Sequence, residues 1–253
     1  MEQKIILITQ ARTGSTRLPG KILKEIKGKS LLEIHLERLK KCKNVSEIIV
    51  ATTTNIEDEL IYNKSIELGV SSYRGSEFDV LDRFYKSIEN KNPDWIVRVT
   101  SDCPLIDPEL VDDVIAYAIK NNKDYVTNTL IEHFPDGQDV EAFKYSALKK
   151  AWEEANLNSE REHVTPYIRK NSDFNGGDLF TSLNYDCQSD FSKIRMTVDE
   201  IADFDLIKIL IENLGTNKSW SAYTNYIIKN NLTRLNINII RNEGLLKSLK
   251  TDK

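Results

Sequence analysis

A cation-rich loop follows the first apolar segment of the chain. Residues 10–21 read QARTGSTRLPGK and combine three cations with two glycines and three hydroxyl side chains. Backbone N–H groups and cationic side chains in a loop of this kind can surround a polyphosphate. Arginine offers phosphate a bidentate fork, and lysine offers a compact charge. The loop therefore predicts phosphate binding by Arg12, Arg17 and Lys21, against the alternative of a solvent-exposed polar connection.

Two familiar nucleotide-binding motifs do not match this loop. Five residues separate Gly14 from Gly20, where a Walker A loop has four. Ile22 follows Lys21, where that motif has a metal-binding Ser or Thr. The loop also lacks the GxGxxG fingerprint of dinucleotide-binding proteins. The spacing therefore indicates neither a P-loop ATPase nor a dinucleotide-binding protein.

Two aspartates come directly after apolar strands, at the sheet edge where open α/β folds bind their ligands. Asp102 follows the predicted strand 95–100, and Asp199 follows the predicted strand 194–198. Because Mg²⁺ takes one or two carboxylates together with substrate phosphates, the pair predicts a metal site with its carboxylates within about 8 Å of each other. Lys21 is expected on the opposite wall of the same cleft. The alternative is that both aspartates cap turns or helices.

Further polar groups lie in the second half of the chain. DGQDVE (136–141) places three carboxylates around a turn, and REH (161–163) lies on a predicted helix. Turn formation and a solvent-exposed helix face explain such clusters as readily as a binding site does. We expect Arg161 and His163 to face the cleft. Asp203 and Asp205 match the DxD pair of glycosyltransferases, but they open an amphipathic helix, which favours helix capping.

The first half of the chain alternates strands with helices, the pattern of βαβ units and a mostly parallel sheet. The predicted strands are 5–9, 47–51, 70–74, 95–100 and 124–128, and the predicted helices are 30–42, 56–68, 78–90 and 108–119. A capping box, SLLE at 30–33, marks one helix start, and Asp107 before Pro108 marks another. The expected fold is α/β, with helices on both faces of the sheet.

The second half is less regular. Its predicted strands are 140–143, 179–185 and 194–198, and its predicted helices are 146–155, 160–169, 203–214 and 219–229. The strand at 194–198 could rejoin the main sheet. No internal repeat or Pro/Gly/Ser-rich linker divides the sequence. We therefore interpret residues 1–253 as a single domain in which residues 130–190 form a small inserted lobe.

Composition and charge narrow the class of protein. The 253 residues include 35 Lys and Arg against 39 Asp and Glu, a formal net charge of −4. Broad binding to nucleic acid or to an anionic membrane needs a surplus of cations on one face, so neither is expected. Cys42, Cys103 and Cys187 have neither CxxC nor zinc-site spacing, which indicates reduced thiols. The short apolar start does not suit a signal peptide. We expect a cytoplasmic protein with neither a nucleic-acid nor a membrane partner.

Six ordered segments resemble the sugar-activating cytidylyltransferases, which include the CMP-Kdo and CMP-sialic acid synthetases. Within that superfamily the chain is most similar to the spore-coat polysaccharide biosynthesis F group. The segments are ARTGSTRLPGK (11–21), RGSEFDVLDRF (74–84), VRVTSDCPLIDP (97–108), DGQDVEAF (136–143), REHVTPYIR (161–169) and RMTVDE (195–200). Phe78 stands where that group often has an acidic residue, and the residues after about 214 resemble no segment of the group.

The resemblance implies a nucleotide-diphospho-sugar transferase fold of the glycosyltransferase A type, usually homodimeric, that uses CTP and Mg²⁺. It implies that the nucleotide is bound by Ala11, Arg12, Ser15, Arg17, Lys21, Arg74 and Asp102. It implies Asp102 and Asp199 as metal ligands, and Lys21, Arg12 and Asp102 as catalytic residues. The region 130–190 would then form the acceptor pocket and the dimer contact, with the acceptor bound by Asp139, Glu141, Arg161 and His163.

The implied reaction is attack by an acceptor oxygen on the α-phosphorus of CTP, with release of pyrophosphate. The acceptor would be a sugar, sugar acid or sugar phosphate of surface polysaccharide or glycan biosynthesis. Two alternatives stay open at this point. A glycosyltransferase would use a preformed nucleotide-sugar, but it would need no triphosphate site, so the three-cation loop argues against it. A non-catalytic nucleotide-binding protein of a glycan-assembly complex would have no need to combine Lys21 with both aspartates.

Overall fold

A seven-stranded, mostly parallel sheet forms the centre of the structure, a computed structural model that describes residues 3–252. The strands are β1 (Ile5–Gln10), β2 (Glu25–Ile26), β3 (Lys29–Ser30), β4 (Glu47–Thr53), β5 (Ser71–Gly75), β6 (Trp95–Thr100), β7 (Tyr125–Thr127), β8 (Glu141–Lys144) and β9 (Ser182–Asn184). The helices are α1 (Leu31–Leu39), α2 (Glu59–Glu67), α3 (Val80–Ile88), α4 (Pro108–Asn121), α5 (Tyr145–Glu154), α6 (Asn158–His163), α7 (Pro166–Lys170), α8 (Ile201–Leu214), α9 (Trp220–Lys229) and α10 (Glu243–Thr251). The sheet has the order β5-β4-β1-β6-β8-β7-β9, and β2 pairs with β3 in a separate hairpin.

Strand β1 lies in the parallel part of the sheet, between β4 and β6. Its side chains alternate between two apolar cores. Ile5 and Leu7 pack with helices α1 and α4 on one face, and Ile6 and Ile8 pack with α3 and α5 on the other. The continuous apolar run at the start of the sequence is therefore explained by helices that cover both faces of the sheet.

Local capping signals set two of the helix starts. Ser30 Oγ accepts the Glu33 N–H at 3.2 Å, and Glu33 Oε2 accepts the Ser30 N–H at 2.7 Å. Asp107 Oδ1 accepts the Glu109 N–H at 3.0 Å, and Pro108 is the first residue of α4. Both predicted helix starts are confirmed. Helix α1 ends at Leu39, which is earlier than predicted.

Two predicted elements are wrong in the second half. The segment 194–198 is not a strand, because Arg195 makes only an isolated parallel bridge with Asp136. The pairing stops there because residues 135–138 form a turn, in which the Gln138 N–H donates to the Pro135 carbonyl and Gly137 has a φ of 102°. The predicted helix 160–169 is divided into α6 and α7. Val164 has a φ of 72°, and Pro166 starts the second helix, so helical hydrogen bonding cannot continue through them.

Residues 130–190, predicted as an inserted lobe, are built onto the main sheet. They supply β8, which is antiparallel to both of its neighbours, and the edge strand β9. Helices α5 and α7 pack on the same face as α3. Within residues 3–252, none of the helices combines the length and the apolar character of a membrane span. All three cysteines are free thiols, as the sequence predicted.

A third apolar cluster carries the segment that contains Asp199. Met196 and Val198 of this segment are buried against α8 and α9 and against Leu31 and Ile34 of α1. The extended segment is therefore anchored by its apolar side chains rather than by a strand ladder. This packing places Asp199 at the edge of the sheet where the carboxyl ends of the parallel strands lie.

Candidate active site

A cavity of about 910 Å³ opens at the carboxyl ends of β1 and β6. The loop 10–21 lines one side, and residues 98–103 with parts of 136–141, 162–170, 195–199 and 242–249 line most of the rest. Ten residues singled out in the sequence lie in its wall, namely Ala11, Arg12, Ser15, Arg17, Lys21, Asp102, Asp139, Glu141, His163 and Asp199. The fold therefore brings most of the candidate site residues into one place.

The loop after β1 is folded back on Thr13. The Thr13 carbonyl accepts the Ser15 N–H at 2.8 Å and the Gly20 N–H at 3.1 Å. Asp58, a buried residue, accepts the Thr13 N–H and hydroxyl, each at 2.7 Å. Gly20 takes a left-handed φ of 63°, which lets the chain turn into the short 3-10 helix of Lys21. These contacts hold the cations of the loop at the cavity wall.

Lys21 lies between the two aspartates. Its Nζ is 3.2 Å from Asp102 Oδ2 and 2.8 Å from Asp199 Oδ1. Burial by itself would lower the pKa of the Lys21 ammonium, but the two carboxylates raise it above its usual value. Burial would likewise raise the pKa of Asp102, and Lys21 holds it down to about 2. Asp102 is therefore ionised at neutral pH, and it shares the Lys21 ammonium with Asp199.

The two aspartates converge, but the expected position of Lys21 is wrong. The Val198 N–H donates to the Asp102 carbonyl at 2.8 Å, which ties the segment of Asp199 to the turn after β6. Two neighbouring carboxylates in a partly buried place require a cation. Lys21 is that cation, so it sits between them instead of on the opposite wall.

The two arginines of the loop also contact carboxylates. Arg17 Nη2 is 2.9 Å from Asp199 Oδ1, and Arg17 Nη1 is 3.1 Å from Glu243 Oε2. Arg12 Nη1 is 3.4 Å from Glu77 Oε1. An anionic ligand at this loop would therefore compete with these carboxylates for the cations.

The guanidinium of Arg195 orients the carboxylate of Asp199. This buried guanidinium donates to Asp199 Oδ2 at 2.8 Å and to Asp203 Oδ1 at 2.9 Å, and it also pairs with Asp136. Burial would lower the pKa of Arg195, but the surrounding carboxylates raise it above its ordinary value. Because Arg195 holds Oδ2, the other oxygen of Asp199 is directed toward Lys21 and Arg17.

Asp203 is a helix cap, as the sequence predicted. Its Oδ2 accepts the N–H groups of Asp199 at 3.0 Å and Glu200 at 3.1 Å at the start of α8. Asp205 is exposed on that helix. The DxD pair therefore has a structural explanation and does not form a glycosyltransferase metal motif.

Gly137 allows the turn 136–141 to approach the segment of Asp199. A Cβ atom at Gly137 would lie 2.6 Å from the Thr197 nitrogen and 2.7 Å from the Met196 carbonyl carbon. Its φ of 102° also lies where residues with side chains are strained. The glycine is therefore required for the contact between two of the six motif segments.

We expect Gly137→Ala to lower the free energy of unfolding by about 2 kcal/mol, because backbone strain and a backbone clash add. Chemical denaturation would measure the loss. Gly176→Ala is the matched control, since Gly176 has a φ of 80° but nothing within 4 Å of its added Cβ. Equal losses in the two variants would contradict the clash and leave strain as the full explanation.

Three of the predicted acceptor residues reach the cavity. Glu141 accepts the Tyr125 and Thr165 hydroxyls, each at 2.6 Å, and pairs with Arg98. Asp139 Oδ1 accepts from Arg241 Nη2 at 2.7 Å, and burial raises the pKa of Asp139 to about 7 even against that cation. His163 Nε2 lies 3.1 Å from Ser248 Oγ, and burial lowers the pKa of His163.

Arg161 and Arg74 are outside the cavity wall. Arg161 Nε is 3.0 Å from both carboxylate oxygens of Asp79, and its Nη1 donates to the Trp152 carbonyl at 2.8 Å. The expectation that Arg161 faces the cleft is wrong, because Asp79 at the start of α3 holds its guanidinium. Arg74 donates to the Thr53 carbonyl at 3.1 Å and the Asn55 carbonyl at 2.9 Å. Arg74 therefore stabilises the backbone at the end of β4 and does not line the cavity.

The structure adds cavity residues that the sequence analysis missed. Arg83 lines the cavity near the loop, is buried, and donates to the Ser76 carbonyl at 2.8 Å. It lies in the segment RGSEFDVLDRF, so the motif contained a signal for it. The buried His35 contacts the turn that carries Asp102, with its Nδ1 2.9 Å from the Cys103 carbonyl oxygen. Residues 242–249 belong to no recognised segment, and the sequence offered no signal for them.

The cavity suits a hard divalent cation only in part. Within residues 3–252, no three His, Cys, Asp or Glu side chains form a metal-binding group. Asp102 and Asp199 nevertheless present oxygens to the same point, where Lys21 now lies. Mg²⁺ commonly takes one or two carboxylates and fills its remaining positions with phosphate oxygens and water. The donor set therefore fits a metal that arrives with a phosphate ligand.

Comparison with known sequences gives consistent matches. A family model described as cytidylyltransferase matches residues 6–222. An uncharacterized protein of Methanocaldococcus jannaschii is 45% identical over 205 residues, covering 80% of this chain and 81% of that protein. The spore coat polysaccharide biosynthesis protein SpsF of Bacillus subtilis is 34% identical over 225 residues, covering 86% and 90%. The 3-deoxy-manno-octulosonate cytidylyltransferase of Fusobacterium nucleatum is 27% identical over 249 residues, covering 90% and 99%.

Solved structures show the same fold. A cytidylyltransferase from Leptospira borgpetersenii superposes with a TM-score of 0.83 at 32% identity, covering 96% of this chain and 98% of that one. A CMP-2-keto-3-deoxy-manno-octonic acid synthetase complexed with CTP superposes with a TM-score of 0.61 at 17% identity, covering 83% and 99%. At 17% identity, the similarity to the second structure shows a shared fold and nothing further. The architecture is that of the nucleotide-diphospho-sugar transferases.

Proposed function

The chain belongs to the cytidylyltransferase family, and from that premise we propose that it activates a sugar, sugar acid or sugar phosphate with CTP and releases pyrophosphate. The product would serve surface polysaccharide or glycan biosynthesis. The observation that carries the proposal is the arrangement around Lys21. Three cations of one loop and two converging carboxylates line the same cavity.

We assign the loop to the phosphates of CTP. Arg12, Arg17 and Lys21 would neutralise the triphosphate, and Ala11 and Ser15 line the same part of the cavity. Each of the three cations now contacts a carboxylate, so phosphate oxygens would replace carboxylate oxygens at the same donors. Arg74 would act on the nucleotide indirectly, through the backbone of Thr53 and Asn55.

Asp102 and Asp199 are the residues that would hold Mg²⁺. A magnesium ion at this place supplies positive charge to phosphate oxygens as a phosphorus–oxygen bond breaks. Arg195 would keep Asp199 in position, and His35 would support the turn that carries Asp102. Lys21 would turn from the carboxylates toward the phosphates when both ligands are present.

The chemistry needs no nucleophilic side chain. An acceptor oxygen attacks the α-phosphorus of CTP, a new phosphorus–oxygen bond forms, and the bond to the β-phosphate oxygen breaks. When the acceptor oxygen is a hydroxyl, its proton passes to solvent water. Such transfers depend on positioning and on electrostatic stabilisation of the charge that develops. Lys21 and Arg12 would stabilise the departing pyrophosphate. The cavity therefore contains the kinds of side chain, cations and carboxylates, that this reaction needs.

The acceptor would bind between the turn 136–141 and helices α6 and α7. Asp139 and His163 present polar groups to this part of the cavity. Glu141 is already bound by Arg98, Tyr125 and Thr165, so we assign it to shaping the pocket wall. Arg161 is bound to Asp79 and takes no part in this proposal.

An assay for pyrophosphate tests the proposal. The protein is incubated with CTP, Mg²⁺ and a panel of sugars, sugar acids and sugar phosphates. We expect pyrophosphate release that depends on CTP and on at least one acceptor. Asp102→Asn should lose this activity, whereas Asp205→Asn, at an exposed aspartate of α8, should retain it.

Other outcomes would contradict the proposal. Failure to bind CTP in calorimetry would remove the nucleotide assignment. Consumption of a preformed nucleotide-sugar without any use of CTP would instead identify a glycosyltransferase. Binding of CTP with no turnover over the whole panel would favour a non-catalytic nucleotide-binding protein.

We also propose a cytoplasmic homodimer. The free thiols of Cys42, Cys103 and Cys187 suit a reducing compartment. The homodimer rests on the family resemblance. Light scattering after gel filtration would give twice the 29.1 kDa of one chain, and a monomeric mass would contradict the dimer.

A further inference from the structure

The C-terminal segment 236–252 lies against the cavity. Asn242, Glu243, Gly244, Leu245, Lys247 and Leu249 are part of the cavity wall. The family model ends at residue 222, so this wall is built by a part of the chain outside the family match. A segment that lies over a site from beyond the part of the chain that the family model matches is a candidate for control of that site.

The segment is attached to the site at several points. Arg241 Nη2 donates to Asp139 Oδ1 at 2.7 Å, and Asn236 Nδ2 donates to Asp203 Oδ1 at 2.8 Å. Further along, Ser248 Oγ lies 3.1 Å from His163 Nε2. At its end, Asp252 Oδ1 accepts the N–H of Ser159 at 2.9 Å. The segment thus crosses the cavity from the turn 136–141 to helix α6.

Glu243 contacts the phosphate-binding loop. Its Oε2 is 3.1 Å from Arg17 Nη1, while Arg17 Nη2 is 2.9 Å from Asp199. A carboxylate on a guanidinium fork occupies the donors that a phosphate would use. The side chains of Arg17 and Glu243 are 30% and 29% exposed, so water and ligands reach the pair. Glu243 therefore stands in the place of an anionic ligand group.

We propose that residues 236–252 form a strap over the cavity and that Glu243 competes with nucleotide phosphate for Arg17. The inference rests on the proposed function in one respect, the assignment of Arg17 to the phosphates of CTP. Binding of CTP then requires the Glu243 side chain to leave Arg17. Ligands that lack phosphate do not need this exchange.

The test compares ligands on one variant. Glu243→Gln removes the charge and keeps the size of the side chain. An exposed ion pair contributes up to about 1 kcal/mol, which corresponds to about five-fold in affinity. We expect calorimetry to show CTP binding about two- to five-fold tighter in Glu243→Gln than in the unaltered protein, with cytidine binding unchanged.

Two control variants separate the competition from a general loosening of the strap. Lys247→Gln removes the 2.7 Å contact between Lys247 and Glu243, which Glu243→Gln also removes. Asp252→Asn weakens the attachment to Ser159 and leaves Glu243 intact. Neither variant is expected to tighten CTP binding. Equal tightening in Asp252→Asn and Glu243→Gln would overturn the competition at Arg17.

Hydrogen exchange of the unaltered protein gives an independent readout. We expect the amides of α10 to exchange faster when CTP is saturating, because the contact between Glu243 and Arg17 is lost. Unchanged or slower exchange would overturn the inference. If CTP binds and Glu243→Gln has no effect, the strap is wrong and the proposed function stands. If CTP binds to none of these proteins, the proposed function is wrong, and the inference about Glu243 fails with it.

Discussion

Lys21→Met is expected to weaken CTP binding by about 1.5–3 kcal/mol, the scale of hydrogen bonds to charged groups. It is also expected to lower the free energy of unfolding at neutral pH by about 3 kcal/mol, because it leaves neighbouring carboxylates without their shared cation. The value lies at the lower end for buried pairs, since the side chain of Asp102 is 28% exposed. Calorimetry and chemical denaturation measure the two effects separately.

Lys24→Met is the matched control for Lys21→Met. Lys24 lies on the same stretch of chain, but its ammonium lies 5.9 Å from the centre of the Phe204 ring instead of between the aspartates. We expect CTP affinity close to that of the unaltered protein. Unchanged CTP affinity in Lys21→Met would remove Lys21 from the phosphate site, and equal stability would show that Arg17 and Arg195 neutralise the aspartates without it.

Arg98→Met is expected to cost about 3–5 kcal/mol of stability at neutral pH, because it leaves Glu141 buried without its cation. The side chains of Arg98 and Glu141 are 13% and 9% exposed, so solvent compensates little. Arg98 lies on β6 and Glu141 on β8, the antiparallel neighbour, where the two residues are directly paired. Urea denaturation of the variant measures the loss.

The loss in Arg98→Met should depend on pH. Burial would raise the pKa of Glu141, but Arg98, with the hydroxyls of Thr165 and Tyr125, lowers it below its ordinary value of 4.5. A lowered pKa means that Glu141 stabilises the fold above about pH 4.5 and that this contribution is lost as the pH falls through the lower folded value. In Arg98→Met the pKa of Glu141 rises instead. The stability difference should therefore be largest near neutral pH and should shrink in acid.

A double variant tests whether the cost comes from the unpaired charge. Adding Glu141→Gln to Arg98→Met removes the buried carboxylate, and we expect most of the lost stability to return. Tyr125 and Thr165 can still donate to the amide oxygen. Strictly additive losses in the double variant would contradict a direct coupling between Arg98 and Glu141.

The order of elements and much of the site could be predicted from the sequence, because the signals are local. The apolar run of β1, the capping box at Ser30 and the cap at Asp107 act over a few residues. The loop 10–21 and Asp102 were located because both follow strands whose carboxyl ends open on one edge of the sheet. Pattern, spacing and strand direction are enough for those conclusions.

Local patterns failed where a segment is held by distant partners. The segment 194–198 has the composition of a strand, yet its apolar side chains pack on α8 and α9 and its backbone makes one bridge. The predicted helix 160–169 is interrupted by Val164, whose positive φ belongs to no helical pattern. In the first case the tertiary surroundings outweigh the intrinsic preference of the residues. In the second case Pro166 is itself a local signal against a continuous helix.

The sequence by itself determined the α/β fold, the position of the cation-rich loop after β1 and the two aspartates that converge beside it. The pairing of charges was decided by the tertiary structure. Arg161 binds Asp79 on α3, Lys21 joins Asp102 to Asp199, and Arg17 meets Glu243 from the far end of the chain. A charged side chain takes whichever opposite charge the packed elements bring within reach, and that choice depends on contacts between residues far apart in sequence.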